Sequence, residues 1–374
     1  MVQGDNYASS AVVVEIARDF NLHISQAGLF VTAYLLPYGI LALIFGPLAD
    51  KYGKARVLNL GAFLVALFCT LGGFAAGLLS LSIIRAVNGI FAASIIPVTI
   101  SLIGDRFSHD IKAMQNALGR ALGMMFMGAA VAPVIAGGLT YLSSWRMVYF
   151  TYGFFIFITA FLLYKVLKKS HTPGNNSVDT LNRTLALKSL YGQAFANKRL
   201  MKYVGIEFFV GFSVLGSFMF SGDFVEQVTG YNIFWVGMAL TFFGLGTVFG
   251  GRHAALVREK IVTSLFLYAG ILGLFSWGVM GFLDSYYLMI LSFLGFGFAF
   301  IFIHTFIVAT SQELSPGNKG LVMSLISFNL FAGGGLGTLV NSYILNVRDF
   351  TLVFLLAGMF TFMAGFLVYK LSRS

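Results

Sequence analysis

The chain alternates between long charge-free runs and short charged segments. Residues 27–49 and 57–84 contain no charged side chain, whereas the segment between them holds Asp50, Lys51, Lys54 and Arg56. An apolar run of about 20 residues is long enough to cross the hydrocarbon core of a bilayer as a helix. The pattern therefore predicts membrane-spanning helices joined by tight charged turns.

Eleven runs of this kind follow one another along the chain. As helices 2 to 12 they are predicted at about 27–49, 57–75, 79–103, 114–142, 146–165, 202–222, 231–251, 261–283, 285–311, 319–346 and 350–370. Residues 1–17 are shorter and more polar, and we interpret them as the outer half of a truncated helix 1. This gives twelve helices, and we expect the gene to encode about ten further apolar residues before Met1.

A long polar segment separates six predicted helices from the next six. It begins with a stretch rich in Pro, Gly and Asn, which is typical of a flexible linker. It continues with apolar residues spread through a basic sequence, which predicts a helix lying on the membrane surface. We therefore expect an all-α membrane protein with an N-terminal half at 1–165, a cytoplasmic linker at 166–200 and a C-terminal half at 201–374.

Composition and charge agree with a membrane protein. Hydrophobic residues make up 58% of the chain and charged residues 10%, against roughly 25% charged in soluble domains. The net charge of +10 suggests nucleic acid, but the basic residues gather on one side if both termini of the complete protein are cytoplasmic. This distribution obeys the positive-inside rule. It predicts a multi-pass protein of a prokaryotic inner (cytoplasmic) membrane that contacts the lipid bilayer and no nucleic acid.

The sequence offers no enzyme chemistry. It contains no zinc-ligand spacing, no phosphate-binding loop and no nucleophile elbow, so we expect no catalytic residue, no cofactor and no metal. The single cysteine, Cys69, lies inside an apolar run and is expected to be a buried structural thiol.

A few ionisable residues fall inside the predicted helices. A charge in the hydrocarbon costs at least about 2.5–3.5 kcal/mol, so Asp5, Arg85, Glu207 and His304 are functional candidates. Each also has a structural interpretation. Arg85 can bond backbone carbonyls, Asp5 can contact neighbouring polar groups, Glu207 can reach the interface near Lys202, and His304 can be a hydrogen-bonded packing residue.

The charged turn at Gly46–Arg56 has the order Gly-x-Leu-Ala-Asp-Lys-x-Gly-Lys-x-Arg. It resembles the loop between helices 2 and 3 of the major facilitator superfamily (MFS), a family of secondary transporters. The segments around Asp5, at 85–93 and at 128–138 resemble that family's motifs in helices 1, 4 and 5. The resemblance implies the MFS fold, with twelve transmembrane helices in two six-helix halves.

The resemblance also implies a gating role for the loop between helices 2 and 3. Gly46 would allow close approach to helix 11, Asp50 would face the amino end of that helix, and Arg56 would pair with Asp105 or Asp50. These contacts would hold the cytoplasmic side closed. The implied gating residues are Gly46, Asp50, Lys51, Gly53, Lys54, Arg56 and Asp105.

Other residues acquire roles in the same way. The resemblance, together with burial in the membrane, implies proton coupling by Asp5, Arg85 and Glu207, with Asp5 and Arg85 as the coupling pair. In helix 5 it implies an antiporter-like signature at Gly128, Pro133 and Gly137, with Ala132 and Ala136 replacing two of the family's glycines. The expected lining of the substrate cavity is Tyr34, Asn88, Phe208, Phe212, Phe328 and Asn329.

The expected function is secondary active transport by alternating access. We expect proton-coupled efflux of a small amphipathic or drug-like solute by a monomer, with protons and that solute as its partners. Two alternatives stay open at this point. One is a uniporter or symporter for a sugar or organic anion, in which Arg85 binds an anionic substrate. The other is a non-transporting membrane receptor or scaffold of the same fold.

Overall fold

The protein is an assembly of long helices. The computed structural model describes residues 2–107, 109–169, 191–257, 264–315, 319–347 and 349–373, and these contain no β-strand. The described residues form twelve long helices: α1 Val2–Asp19, α2 Leu29–Tyr52, α3 Lys54–Gly72, α4 Leu78–Ala92 continued by Ile95–Arg106, α5 Ile111–Leu142, α6 Trp145–Lys169, α7 Lys198–Phe218 continued by Ser221–Thr229, α8 Ile233–Val257, α9 Ser264–Gly278, α10 Tyr286–Glu313, α11 Lys319–Val347 and α12 Phe350–Ser372.

The eleven predicted apolar runs correspond to α2 to α12, and the predicted partial helix 1 corresponds to α1. Within the described residues, eleven helices are long and apolar enough to cross a membrane, and α1 is not among them. A short helix, Ile24–Ala27, precedes α2, and a 3₁₀ turn, Met280–Phe282, follows α9. The prediction of an all-α membrane protein is confirmed.

Two helices are broken where the sequence pattern predicts continuous ones. In α4 the break falls at Ala93–Ser94, four residues before Pro97, whose missing N–H leaves the Ala93 carbonyl without its helical donor. In α7 the break falls at Met219–Phe220. The Ser217 hydroxyl donates back to the Ser213 carbonyl on the preceding turn, a bond that competes with the regular helix.

The predicted linker is described only in part. Residues 170–190, and with them most of the predicted amphipathic helix, lie outside the described residues, but residues 191–196 are helical. The Tyr191 hydroxyl donates to the carbonyl of Leu43 in α2 at 2.6 Å. This is the carbonyl that Pro47, four residues later in the same helix, cannot serve because proline has no N–H. A linker side chain therefore replaces a lost helical hydrogen bond.

The helix pairs repeat between the first six helices and the last six, called here the two halves. In each half the first helix packs against the fifth, the second against the fourth and the third against the sixth. The halves meet mainly where α2 packs on α11 and α5 packs on α8. The repeated pairing is the arrangement expected of two equivalent six-helix units.

The halves touch near both ends of the helices. At the end that holds Lys51 and Lys54, called here the basic end, Ile100 of α4 joins a buried apolar cluster with Leu200 of α7 and Val322 of α11. At the opposite end, called here the far end, polar contacts cross between the halves. The described conformation is thus closed towards both ends.

Two ion pairs and a hydrogen bond strengthen the far end. Arg18 of α1 bonds Glu226 of α7 at 2.5 Å, and Ser25 donates to Asn346 of α11 at 2.6 Å. Within the first half, Arg146 bonds Asp19 at 2.6 Å, and this hydrogen bond lowers the pKa of the Asp19 carboxyl. These contacts hold α1 against both α6 and the second half.

Candidate functional site

A buried ion pair joins the first and fourth helices of the first half. One oxygen of Asp5 in α1 accepts a hydrogen bond from Nη1 of Arg85 in α4 at 2.6 Å. The Arg85 side chain is fully buried and that of Asp5 is 3% exposed. Breaking a buried pair by removing one partner leaves an uncompensated charge, so each group depends strongly on the other.

Neutral groups complete the surroundings of this pair. The second guanidinium nitrogen of Arg85 donates to the Ser9 hydroxyl at 3.3 Å, and the Asn88 amide donates to Asp5 at 3.4 Å. The thiol of Cys69 lies 3.6 Å from the other Asp5 oxygen. The guanidinium carbon of Arg85 stands 4.2 Å from the ring centroid of Tyr34, a cation–π contact.

The shape of α4 allows this arrangement. Arg85, Asn88 and Gly89 are spaced to share one helical face, and the face is buried. A Cβ on Gly89 would stand 2.3 Å from the Tyr34 carbonyl, so only glycine lets α4 approach α2 this closely. The Arg85 Nε and the Asn88 Oδ1 have no hydrogen-bond partner among the described residues. One donor and one acceptor of the site are therefore unsatisfied.

A second buried pair lies in the other half. Glu207 of α7 and Nδ1 of His304 in α10 are 2.5 Å apart. The Glu207 side chain is fully buried, so it does not extend to the interface near Lys202. The packing interpretation of His304 is also incomplete, since its ring both packs against Phe300 at 5.4 Å and bonds a carboxylate.

The turn between α2 and α3 shows some of the contacts expected of the gating loop. Gly53 has a φ of +94°, which strains any residue with a Cβ. A Cβ on Gly46 would lie 3.4 Å from the Ser324 hydroxyl of α11, so α2 and α11 do come close there. The side chains of Asp50 and Lys319 lie outside those described, so the expected Asp50 contact stays a prediction.

One ion pair of this turn has a different partner from the one expected. Asp105 of α4 bonds Lys54 at 2.7 Å, and not Arg56. Lys54, the first residue of α3, and Arg56 lie on different sides of that helix, because residues two apart do not share a face. Because the Asp105 side chain is 60% exposed, this contact contributes little to stability.

The helix 5 signature lies on the seam between the halves. A Cβ on Gly137 would be 2.5 Å from the carbonyl of Ile233 in α8, and one on Gly237 would be 2.4 Å from the Pro133 carbonyl. Gly128 faces α1, where its carbonyl is 3.2 Å from a Cβ built on Gly4. The small residues of α5 thus permit close backbone contact with both neighbours.

A small cavity lies between the halves. Its volume of about 20 Å³ has room for about one water molecule. Asn6, on α1, is more than nine-tenths buried and supplies an amide to the lining. The lining residues are Asn6, Tyr7, Ser10, Val31, Leu35, Leu215, Phe218 and Met219.

The residues expected to line the substrate cavity lie elsewhere in this closed form. Tyr34 and Asn88 surround the Asp5–Arg85 pair. Phe212 packs against Phe360 of α12 at 4.7 Å. The expectation for these residues, with Phe208, Phe328 and Asn329, stays a prediction for an open form.

Comparison with known proteins gives the family. The sequence profile of the Major Facilitator Superfamily matches residues 1–338. The chain belongs to this family. This MFS protein is therefore a multi-pass membrane protein of a transporter family, and the two buried pairs belong to that fold.

Several relatives resemble this MFS protein at low identity. The uncharacterized MFS-type transporter YceJ of Bacillus subtilis is 22% identical over 91% of this chain and 85% of its own length. The probable L-galactonate transporter of Escherichia coli is 28% identical over 43% of this chain and 36% of its own. The puromycin resistance protein pur8 of Streptomyces alboniger is 30% identical over 38% of this chain and 28% of its own.

Sequence reasoning paired Asp5 with Arg85, and the two are in contact, but it missed the other partners of the site residues. Asn6 and Ser10 stand one helical turn apart on α1, and this polar face was a usable signal for the cavity. The Glu207–His304 contact had a weaker signal, namely that both are ionisable residues in charge-free runs. Cys69 was expected to be buried, which it is, but nothing in the sequence placed it beside Asp5.

Proposed function

We propose that this MFS protein is a proton-coupled secondary transporter that exports a small amphipathic or drug-like solute. The Asp5–Arg85 pair carries the coupling, and the observation that supports this role is that two buried opposite charges lie 2.6 Å apart. It acts as a monomer in the inner membrane of a prokaryote, with the basic end towards the cytoplasm, as the positive-inside rule indicates.

The coupling follows from the contacts of Asp5. When a proton binds Asp5, its charge is lost and the Arg85 guanidinium loses its counter-ion. Arg85 then has Ser9, Tyr34 and the unpartnered Oδ1 of Asn88 nearby. Its position relative to α1 changes. A proton drives transport only if it binds the inward-facing and outward-facing states with different affinity, and a rearrangement of this pair supplies such a difference.

The solute class rests on two observations. The cavity between the halves is mainly apolar, and its polar groups are the uncharged ones of Asn6, Tyr7 and Ser10. One relative is named for resistance to puromycin, an observation that favours export of a drug-like solute.

A second function has a specific observation in its favour. Another relative is named as a probable L-galactonate transporter, which is consistent with uptake of an organic anion. In that case Arg85 would bind the carboxylate of the solute when Asp5 is protonated. The two functions differ in solute charge and in the direction of transport.

The test is flux in proteoliposomes that contain the purified protein, with puromycin and L-galactonate as separate probes. We expect puromycin to accumulate only when a pH gradient is imposed. Asp5→Asn should abolish this accumulation yet retain exchange of puromycin at equal pH on both sides. Accumulation by Asp5→Asn against a gradient would remove the pair from the coupling mechanism, and transport of L-galactonate alone would favour the second function.

A further inference from the structure

The Glu207–His304 contact repeats the position of the Asp5–Arg85 contact. Asp5 and Arg85 belong to the first and fourth helices of the first half, and Glu207 and His304 belong to the first and fourth helices of the second. We propose that Glu207 and His304 form a second proton-binding site, which is loaded through His304 and shielded by Phe126 of the opposite half. The proposal deepens the proposed function and rests on its proton coupling.

The burial of the two side chains is unequal. Glu207 is fully buried, whereas 12% of the His304 side chain is exposed. The Glu207 Oε2 is buried and finds no hydrogen-bond partner in the part of the chain that the structure describes. A buried carboxylate oxygen without a hydrogen-bond partner is costly.

The geometry gives the proton a route through the imidazole. In the unloaded pair, neutral His304 donates its Nδ1 proton to the Glu207 carboxylate. A hydronium ion gives a proton to Nε2, and the Nδ1 proton passes to Oε1 across the 2.5 Å contact. The imidazole is again neutral, now with its proton on Nε2, and Glu207 is a neutral acid. The pair has gained one proton, and water has lost one.

Phe126 connects this site to the movement of the halves. It belongs to α5 of the first half, and its ring meets the His304 ring edge-on at 6.4 Å. Glu207 and His304 each lie nine residues from the basic ends of their helices, Lys198 and Glu313, a rise of about 13.5 Å. Separation of the halves at the basic end would therefore withdraw Phe126 and admit water to His304.

Three of the helices around the pair contain long stretches without a charged residue. No charged residue occurs at 233–251 in α8, 320–347 in α11 or 350–369 in α12. On α7 itself, Lys202 lies more than one turn towards the basic end, and the titratable Tyr203 packs against Phe306 of α10 at 6.2 Å. On α5, the nearest charge in sequence to Phe126 is Arg120. Of these titratable groups, His304 is thus the one that contacts Glu207.

Infrared difference spectroscopy of the purified protein tests the proposal without a transport substrate. Between about pH 6 and 9, exposed carboxylates stay ionised because their ordinary pKa values lie near 4. Lowering the pH should produce a carbonyl band from each buried carboxyl group that takes up a proton. Asp5→Asn should remove the band of Asp5 and Glu207→Gln the band of Glu207. Asp223→Asn, which alters another buried acid on α7, is the matched control and should leave the Glu207 band unchanged.

Two further variants keep the result decisive. His304→Gln removes the imidazole and should shift the frequency of the Glu207 band, a test that stands if Glu207→Gln does not fold. Phe126→Ala should speed the exchange of that proton for deuterium by about 2- to 10-fold, the factor expected from losing one aromatic contact.

Each outcome separates the inference from the proposed function. A spectrum that Glu207→Gln leaves unchanged would overturn the second proton site, whether or not the Asp5 band is present. An unchanged frequency of the Glu207 band in His304→Gln would likewise overturn the second proton site. If the wild-type spectrum shows the Glu207 band but no Asp5 band, the coupling role of Asp5 and Arg85 would be contradicted. The second site would then stand.

Discussion

At the scale of single residues, Arg85 combines three contacts that no other side chain can reproduce. One nitrogen binds Asp5, a second binds Ser9, and the guanidinium plane lies over the Tyr34 ring. A lysine offers a point charge in place of this planar fork. The shape of the side chain at this position therefore matters as well as its charge.

We predict that Arg85→Lys retains the fold but loses proton-driven transport. The ammonium group keeps a counter-ion for Asp5, but it cannot bind Asp5 and Ser9 together or stack on Tyr34 in the same way. The measurement is proteoliposome flux with an imposed pH gradient, alongside size-exclusion chromatography as a check of folding. Wild-type accumulation by this variant would show that a single positive charge is sufficient.

The stability of the pair gives a second prediction at this scale. Asp5→Asn alone should destabilise the protein by about 3–5 kcal/mol, because Arg85 keeps a buried charge without a partner. Adding Arg85→Gln should recover part of that loss. Thermal unfolding followed by tryptophan fluorescence measures both. As a control, Asp105→Asn breaks an exposed pair and should cost less than about 1 kcal/mol; additive losses in the double variant would contradict the prediction.

The sequence supplied the identities of the charged residues because an ionisable group in a charge-free run is costly and so conspicuous. It paired Asp5 with Arg85, which are in contact, but it supplied no other partner. The Glu207–His304 contact joins residues 97 positions apart, and the one-dimensional pattern gives no measure of which helices pack together. The Lys54–Asp105 pair illustrates the same limit, since Lys54 and Arg56 are equivalent in sequence but not in position.

At the scale of helices, the seam between α5 and α8 depends on glycine. The nearest backbone atoms to a Cβ at Gly137 belong to Ile233 and Gly237 of α8, at 2.5 and 3.3 Å. The two helices form one of the main contacts between the halves. Any side chain at this position must push the helices apart.

We predict that Gly137→Ala impairs transport and lowers thermal stability. Gly123→Ala, on the same helix, is the matched control, because a Cβ at Gly123 meets no described atom within 4 Å. Alanine favours the helix over glycine by about 1 kcal/mol, so the control should be neutral or slightly stabilising. Equal behaviour of the two variants in flux and thermal unfolding would remove the close approach as the cause.

Helix positions were predictable from the sequence, whereas helix breaks were not. The apolar runs end where charges begin, and this fixes most bounds within a few residues. The break in α4 has a signal in Pro97, but Pro37 and Pro47 lie inside a continuous α2. At Pro47 the carbonyl left free accepts a hydrogen bond from Tyr191, a partner that the sequence pattern does not show.

At the scale of the whole molecule, the halves are in contact at the far end and at the basic end. The Ser25–Asn346 bond lies at the far end, and the approach of Gly46 to Ser324 lies towards the basic end. Alternating access requires these two regions to separate in turn. Each is therefore a place where a cross-link should stop the cycle.

We predict that a disulfide at either position blocks net transport and that reduction restores it. The variants are Ser25→Cys with Asn346→Cys and Gly46→Cys with Ser324→Cys. Cys69 is buried, so it should not interfere. Proteoliposome flux before and after oxidation gives the result, with each single-cysteine variant as control. Undiminished flux through a fully cross-linked protein would exclude separation of the halves at that position.

The hydrogen bond from Tyr191 to Leu43 limits how far the two halves can part at the basic end. Tyr191 is tied to α2 of the first half, and α7 of the second half begins at Lys198, so six residues bridge the gap. Because residues 191–196 are helical, this bridge reaches about 9 Å at 1.5 Å per residue. Fully extended it would reach about 20 Å. The connection therefore has a shorter helical length and a longer extended length. Opening beyond the shorter length requires this helical turn to unwind or the Tyr191 hydrogen bond to break.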